Sequence, residues 1–180
     1  MKKFYLLTAF GKDRPGIVAQ VTRTVFDLHG NIEDASMTRL GGEFAMMLVV
    51  GMPSAAGSSL VKKLGSLQKS LKLTLLARPI ATALAHGPRS SPATHLISVY
   101  GTDKPGIVYR VAQSLADQRV NITDLNTKTL TRAGKPLYVM LLEVQIPSRA
   151  KARSLQHTLK RLGRKLRLEM TLQDMAAISL

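Results

Sequence analysis

The chain lies over itself when shifted by 90 positions. Gly11-Lys12-Asp13-Arg14-Pro15-Gly16-Ile17-Val18 then falls on Gly101-Thr102-Asp103-Lys104-Pro105-Gly106-Ile107-Val108. The match continues without a gap through Val21/Val111, Asp27/Asp117, Asn31-Ile32/Asn121-Ile122 and Asp34/Asp124. Eleven of the 24 positions from 11 to 34 are identical, where average residue usage yields about one or two. A four-residue insertion then moves the offset to 94 and lays Phe44 to Pro53 over Tyr138 to Pro147. Further on, Lys62-Lys63-Leu64-Gly65 lies over Lys160-Arg161-Leu162-Gly163.

A duplication means that whatever folds must fold twice within 180 residues. Units this small bury only about 60 to 70% of their unfolded surface, so pairing helps them and a domain pair or homodimer is expected. Gly87-Pro88-Arg89-Ser90-Ser91-Pro92 is a turn-forming stretch. It sets the expected organisation as a first module over 1–80, a linker over 81–94 and a second module over 95–180.

Within the first copy, Phe4 to Phe10 is a short apolar run closed by glycine, which fits a buried strand. Ile17, Val18, Val21, Val25 and Leu28 then form a helical stripe that Gly30 can end as a left-handed residue. Asn31 to Leu40 is compatible with a strand, Gly41-Gly42 makes a turn, and Phe44 to Val50 is a second apolar strand. Leu60, Val61, Leu64 and Leu67 give another helical stripe, and Leu71 to Leu75 alternates as a half-buried strand does. The second copy repeats this order from His95 to about Thr171, with Thr131 to Lys135 as a longer hairpin turn. The order βαββαβ predicts an α+β protein of two ferredoxin-like modules, each a four-stranded antiparallel sheet with two helices on one face.

At the strand-to-helix junction each residue type has a task. With Pro15 as first helical residue, its fixed φ starts the helix and its missing N–H has no intrahelical partner to lose. Arg14 before it is held out of the helical region, as an N-cap must be. Gly11 and Gly16 lack a Cβ, so another backbone or a small ligand can approach. Asp13 can accept hydrogen bonds from loop or helix-end amides. Gly101, Asp103, Pro105 and Gly106 repeat the set. The product is a helix tip with free N–H groups, where a carboxylate is favoured. A plain strand-to-helix turn would need the same residues. Asn31 and Asn121 open the next strand, where a carboxamide can contact a ligand or close the turn.

Asp-x-Pro-Gly-Ile-Val, a helix, and Asn-Ile at the start of a strand together resemble the ACT domain, twice over. The resemblance implies small ligands, often amino acids, held at an interface between modules by this loop and by the Asn. It points to Gly11, Asp13, Pro15, Gly16 and Asn31, and to Gly101, Asp103, Pro105, Gly106 and Asn121. More narrowly, Asp13-Arg14-Pro15-Gly16-Ile17-Val18, Gly30-Asn31-Ile32-Glu33-Asp34 and Leu40-Gly41-Gly42-Glu43-Phe44 are similar to the glycine cleavage system transcriptional repressor group. That likeness implies glycine as a candidate effector and, as protein target, a transcription activator that is restrained without contact to DNA.

Other classes are disfavoured. Cysteine is absent, which removes thiolate nucleophiles, thiolate metal sites and disulfides. No hydrolase, zinc-protease, nucleotide-loop or dinucleotide signature occurs, so neither an enzyme nor a cofactor is expected. Gly11-Lys12-Asp13 interrupts the N-terminal apolar run before any cleavage signal, and no stretch approaches the ~20 apolar residues of a membrane span. A cytoplasmic protein is the expectation.

The competing reading comes from charge. The net charge is +15, and between Arg149 and Arg167 there are eight basic residues and no acid. Arg149, Arg153, Lys160, Arg161 and Arg164, with His157, recur near steps of three, four or seven and can line one helical face opposite Leu155, Leu159 and Leu162. Such a face is solvated, meets an acidic partner protein, or binds nucleic acid. The poverty of aromatics, four Tyr, four Phe and no Trp, speaks against stacking on single strands.

Overall fold

Two strongly apolar strands run side by side at the centre of each half of the protein. In the computed structural model, which describes residues 1–82, 85, 93–132 and 135–177, these are β1 (Lys2–Lys12) and β3 (Glu43–Pro53) in the first half, and β5 (His95–Gly101) and β7 (Lys135–Gln145) in the second. Around them stand α1 (Ile17–Phe26), β2 (Asn31–Leu40), α2 (Gly57–Leu71) and β4 (Thr74–Ile80). Their second-half counterparts are α3 (Ile107–Asp117), β6 (Asn121–Arg132), α4 (Arg149–Leu166) and β8 (Leu168–Asp174). The sheets have the orders β2-β3-β1-β4 and β6-β7-β5-β8, antiparallel throughout. Each half is thus a βαββαβ ferredoxin-like module. The chain divides into compact units Met1–Pro88 and Arg89–Leu180. The turn-forming residues 87 to 92 lie outside the described residues.

Each core is made by one sheet face and its two helices. Leu7, Ala9, Phe44, Met46, Leu48 and Val50 meet Ile17, Val21 and Val25 of α1 and Leu60 and Leu64 of α2. The second core repeats this with Ile97, Val99, Tyr138, Met140 and Leu142 against Val111, Leu115, Leu155 and Leu159. Val18, counted in the apolar stripe, is instead 43% exposed. Gly41 and Gly42, at φ 59° and 84°, form the mirror-image turn that matches strand twist in a tight hairpin. The second hairpin stays paired out to Arg132 and Lys135, so the turn read over Thr131 to Lys135 is shorter; positions 133 and 134 lie outside the described residues.

Helix ends depart from the sequence reading. Gly30 does not take the left-handed position after α1; His29 does, at φ 54°, and Arg119 repeats it at φ 55°. Gly30 is instead where a Cβ would stand 2.8 Å from Val25 Cγ1. Likewise α2 runs to Leu71 and closes on left-handed Lys72, so only the end of the alternating Leu71 to Leu75 segment is strand. Arg167 closes α4 in the same way. Among the described residues no helix is long and apolar enough to cross a membrane.

The helical overlay also shifts. Leu60 and Leu64 pack as Leu155 and Leu159 do, and Lys72, the left-handed residue that closes α2, corresponds to Arg167, which closes α4. The structural offset is therefore 95, and the pairing of Lys62-Lys63-Leu64-Gly65 with Lys160-Arg161-Leu162-Gly163 is three residues out. A slip of three nearly preserves a helical apolar stripe, which is why the strings agree. The two glycines consequently have different surroundings. A Cβ on Gly65 would meet nothing within 4 Å, whereas one on Gly163 would stand 2.7 Å from the Leu168 carbonyl oxygen. Gly65→Ala should raise stability by about 0.5–1 kcal/mol through helix propensity, and Gly163→Ala should lower it by about 1–3 kcal/mol through overpacking. Urea midpoints of the two variants, shifting in opposite directions, check this.

Candidate functional site

The last residues of β1 pair with the first of β3, Lys12 opposite Glu43 and Gly11 opposite Phe44. This register sets the loop 13–16 beside the β2–β3 hairpin, where the Asp13 N–H donates to the Gly42 carbonyl at 2.9 Å. The same hairpin tip supplies Arg39 of β2, whose Nε lies 2.8 Å from Asp13 Oδ2. The Asp13 carboxylate, which the sequence offered to loop amides, is thus engaged by a guanidinium from β2. An open groove of about 760 Å³ results, lined by Asp13 to Ala19 together with Met37, Arg39 and Phe44.

The helix start differs from expectation. Pro15 is not the first helical residue, and Arg14 is not the cap; the N-cap is Gly16, at φ 91°, and the helix begins at Ile17. Pro105 and Gly106 repeat this, Gly106 at φ 86°. A left-handed N-cap lets the chain swing from loop to helix within one residue, and proline cannot take that conformation. The Gly16 carbonyl accepts from Gln20 N–H at 3.0 Å, and the Gly106 carbonyl accepts from Arg110 N–H at 3.0 Å. Neither helix has a side-chain cap, so the first-turn amides are not served by a neighbouring hydroxyl or carboxylate. Arg14 reaches away, its Nη2 donating to the Ser70 carbonyl at 3.4 Å near the end of α2.

The glycines divide by task. A Cβ at Gly16 would have only Gln20 Nε2 near it, at 3.8 Å, and one at Gly106 would meet nothing within 4 Å. The space there is open, and it is the backbone conformation that demands glycine. At Gly11 and Gly101 both demands coincide: φ is 147° and 153°, and a Cβ would stand 2.7 Å from Leu73 Cδ2 and 2.5 Å from Leu168 Cδ2 respectively. They let a core leucine close the end of the sheet.

Asn31 and Asn121 are exposed at the other end of β2 and β6. Asn31 opposes Gly51 while Arg39 opposes Phe44; eight strand steps separate them by about 25 Å. Asn31 lines a separate groove of about 480 Å³ with Phe26, Gly30 and Ile32. Neither module brings its own Asn to its own proline-glycine loop. Conversely, the groove contains Val18, Met37, Arg39 and Phe44, which the sequence reading passed over. The hairpin itself was the available signal, since the ferredoxin-like order places its tip beside the first loop.

In the second module register puts Thr129 opposite Tyr138 where Arg39 opposes Phe44. No ion pair of Asp103 occurs among the described residues. Asp103 acts instead on Tyr138, whose hydroxyl donates to Met140 Sδ at 3.7 Å. Burial pushes the Tyr138 phenol above its ordinary value, the Asp103 carboxylate pushes the same way, and a hydrogen bond with Thr127 pulls it back. Asp103→Asn should therefore lower the Tyr138 pKa, and Thr127→Val should raise it further. Ultraviolet phenolate titration, with Tyr138→Phe identifying the signal, reads both.

The ACT domain matches residues 3–77 and 93–173, most of both modules. The glycine cleavage system transcriptional repressor of Escherichia coli is 32% identical over 127 residues, covering 70% of this chain and 65% of its own length. The chain thus spans just under two thirds of that relative. The UPF0237 protein of Methanopyrus kandleri is 42% identical over 65 residues, 36% of this chain and 71% of that protein. Among solved structures, that of an unknown protein from Galdieria sulphuraria superposes with a TM-score of 0.80 at 25% identity, covering 97% of this chain and 99% of that one. A double match to one domain, on two modules with the same strand order and the same left-handed glycine before the first helix, places the chain in the ACT domain family.

Proposed function

We propose that the chain is an amino-acid-responsive regulator without catalytic activity, and that its first module receives the effector in the Asp13–Arg39 groove. The observation that carries this is the presence of an acid, a guanidinium and an uncapped helix start around one opening. A zwitterion needs that set. Its carboxylate is favoured by Arg39 and by the Ile17 end of α1, and its ammonium by Asp13.

The ion pair does not forbid entry. The Arg39 side chain is 68% exposed and that of Asp13 24%, so solvent reaches the pair from the arginine side and weakens it. An amino acid can part them and give each a new partner. The second module has Thr129 and Tyr138 in place of Arg39 and Phe44, so no guanidinium stands at the register position of Arg39. Ligand occupancy therefore favours the first module.

Glycine is the candidate effector, because the relative from Escherichia coli is named for the glycine cleavage system. A small effector also suits a groove whose floor is the buried Phe44. By the same likeness the output is transcriptional control through a protein target such as a transcription activator. Only an effector that binds two states of the regulator unequally can alter that output.

A thermal-shift screen of the twenty amino acids tests the reading. A ligand at about 100 times its Kd adds about 2.7 kcal/mol of stability to the folded form, so glycine or a close relative should raise Tm clearly. Arg39→Ala and Asp13→Asn should each abolish the rise. No shift with any amino acid at millimolar concentration, or a full shift in Arg39→Ala, would overturn the assignment.

A further inference from the structure

The duplication is uneven in charge. α2 and α4 occupy the same place in their modules, yet α2 carries three lysines, one of them 3.9 Å from Asp27, whereas α4 carries seven lysines and arginines and no acid. None of the α4 cations forms an ion pair among the described residues. Arg149, Arg153, Lys160, Arg161 and Arg164 are all exposed, while Leu155, Leu159 and Gly163 are buried. At 100° per residue these five cations fall within one third of the helix circumference, opposite the buried stripe. From Arg149 to Arg164 the row runs about 22 Å.

Like charges so spaced repel one another, and the buried stripe holds them on one side. Such a face suits an anion with repeated charge. Two classes qualify, an acidic protein surface and a nucleic-acid backbone, and the apolar content decides between them. Protein interfaces are anchored by buried aromatic and aliphatic side chains. None of the large exposed hydrophobic residues lies on α4, whose outward positions are cations, Ala150, Ser154, Gln156 and His157. An interface that is polar and positive throughout is the character of phosphate-backbone binding. With no Phe, Tyr or Trp on the helix and His157 its one ring, stacking on successive single-stranded bases has little platform.

We propose that the exposed face of α4 binds the phosphate backbone of double-stranded nucleic acid, independently of sequence. The chain would then be both a sensor, through its first module, and a DNA-associated protein, through its second. This goes beyond the amino-acid reading and does not depend on it.

Anisotropy of a fluorescent mixed-sequence DNA duplex, titrated with the full chain over a series of salt concentrations, tests the proposal. Five phosphate contacts give a log–log slope between about −3 and −5. The exposed triple variant Arg153→Gln, Lys160→Gln, Arg164→Gln should flatten that slope by about 2 to 3 and weaken low-salt affinity at least about tenfold. A control with the same charge removed from the first module, Arg23→Gln, Lys62→Gln, Lys69→Gln, should stay within about twofold of the parent. Equal loss in both triples would assign binding to net charge and overturn the proposal, as would an unaffected α4 triple. Tighter binding of poly-glutamate than of the duplex at matched charge would overturn it in favour of an acidic protein surface.

Discussion

At Gly16 and Gly106 the backbone passes through a left-handed conformation immediately before a helix, and each module is organised by that turn. The strand before it is central in its sheet, and the helix after it lies over the same sheet, so the chain must reverse in a handful of residues. The left-handed residue accomplishes this and leaves its own carbonyl to accept the first helical bond. The amides that follow then face outward beside the hairpin tip. Core and groove thus have one origin. Moving the turn by a residue would rotate α1 by about 100° and withdraw Ile17, Val21 and Val25 from the interior.

Much of this was legible in the residues. The repeat fixed two modules, and the spacing of Ile17, Val21 and Val25 and the apolar runs at Phe44 and Tyr138 fixed the strand and helix order. Gly41-Gly42 announced its own hairpin. Proline and glycine next to each other were read in the wrong roles because both favour helix starts. Only the backbone angle separates Pro15 in the turn from Gly16 as cap. The three-residue slip between α2 and α4 escaped for a related reason, since an amphipathic helix nearly repeats its pattern every three or four positions.

The groove was only half legible. Asp13, Pro15 and Gly16 are adjacent in sequence, so a local motif exposes them. Arg39 and Phe44 reach them through strand register, a non-local relation that no spacing records. The same non-locality governs Asn31, which is close to α1 in sequence but stands at the far end of β2 from the loop. Duplication supplied a contrast that a single module would lack: Arg39 against Thr129, Phe44 against Tyr138, and a sparsely charged α2 against a crowded α4. The fold was retained in both copies while the surfaces diverged.

His29, Lys72, Arg119 and Arg167 all take φ between 50° and 57°, a region where a side chain costs roughly 1–2 kcal/mol relative to glycine. Each follows a helix, and three of the four are lysine or arginine. A positive group at that end interacts with the helix dipole for about 0.3–1 kcal/mol, which offsets only part of the conformational penalty. Glycine at these corners would therefore relieve strain that the present side chains carry. A chain that keeps basic residues at the sites best suited to glycine treats its positive exterior as a trait in its own right.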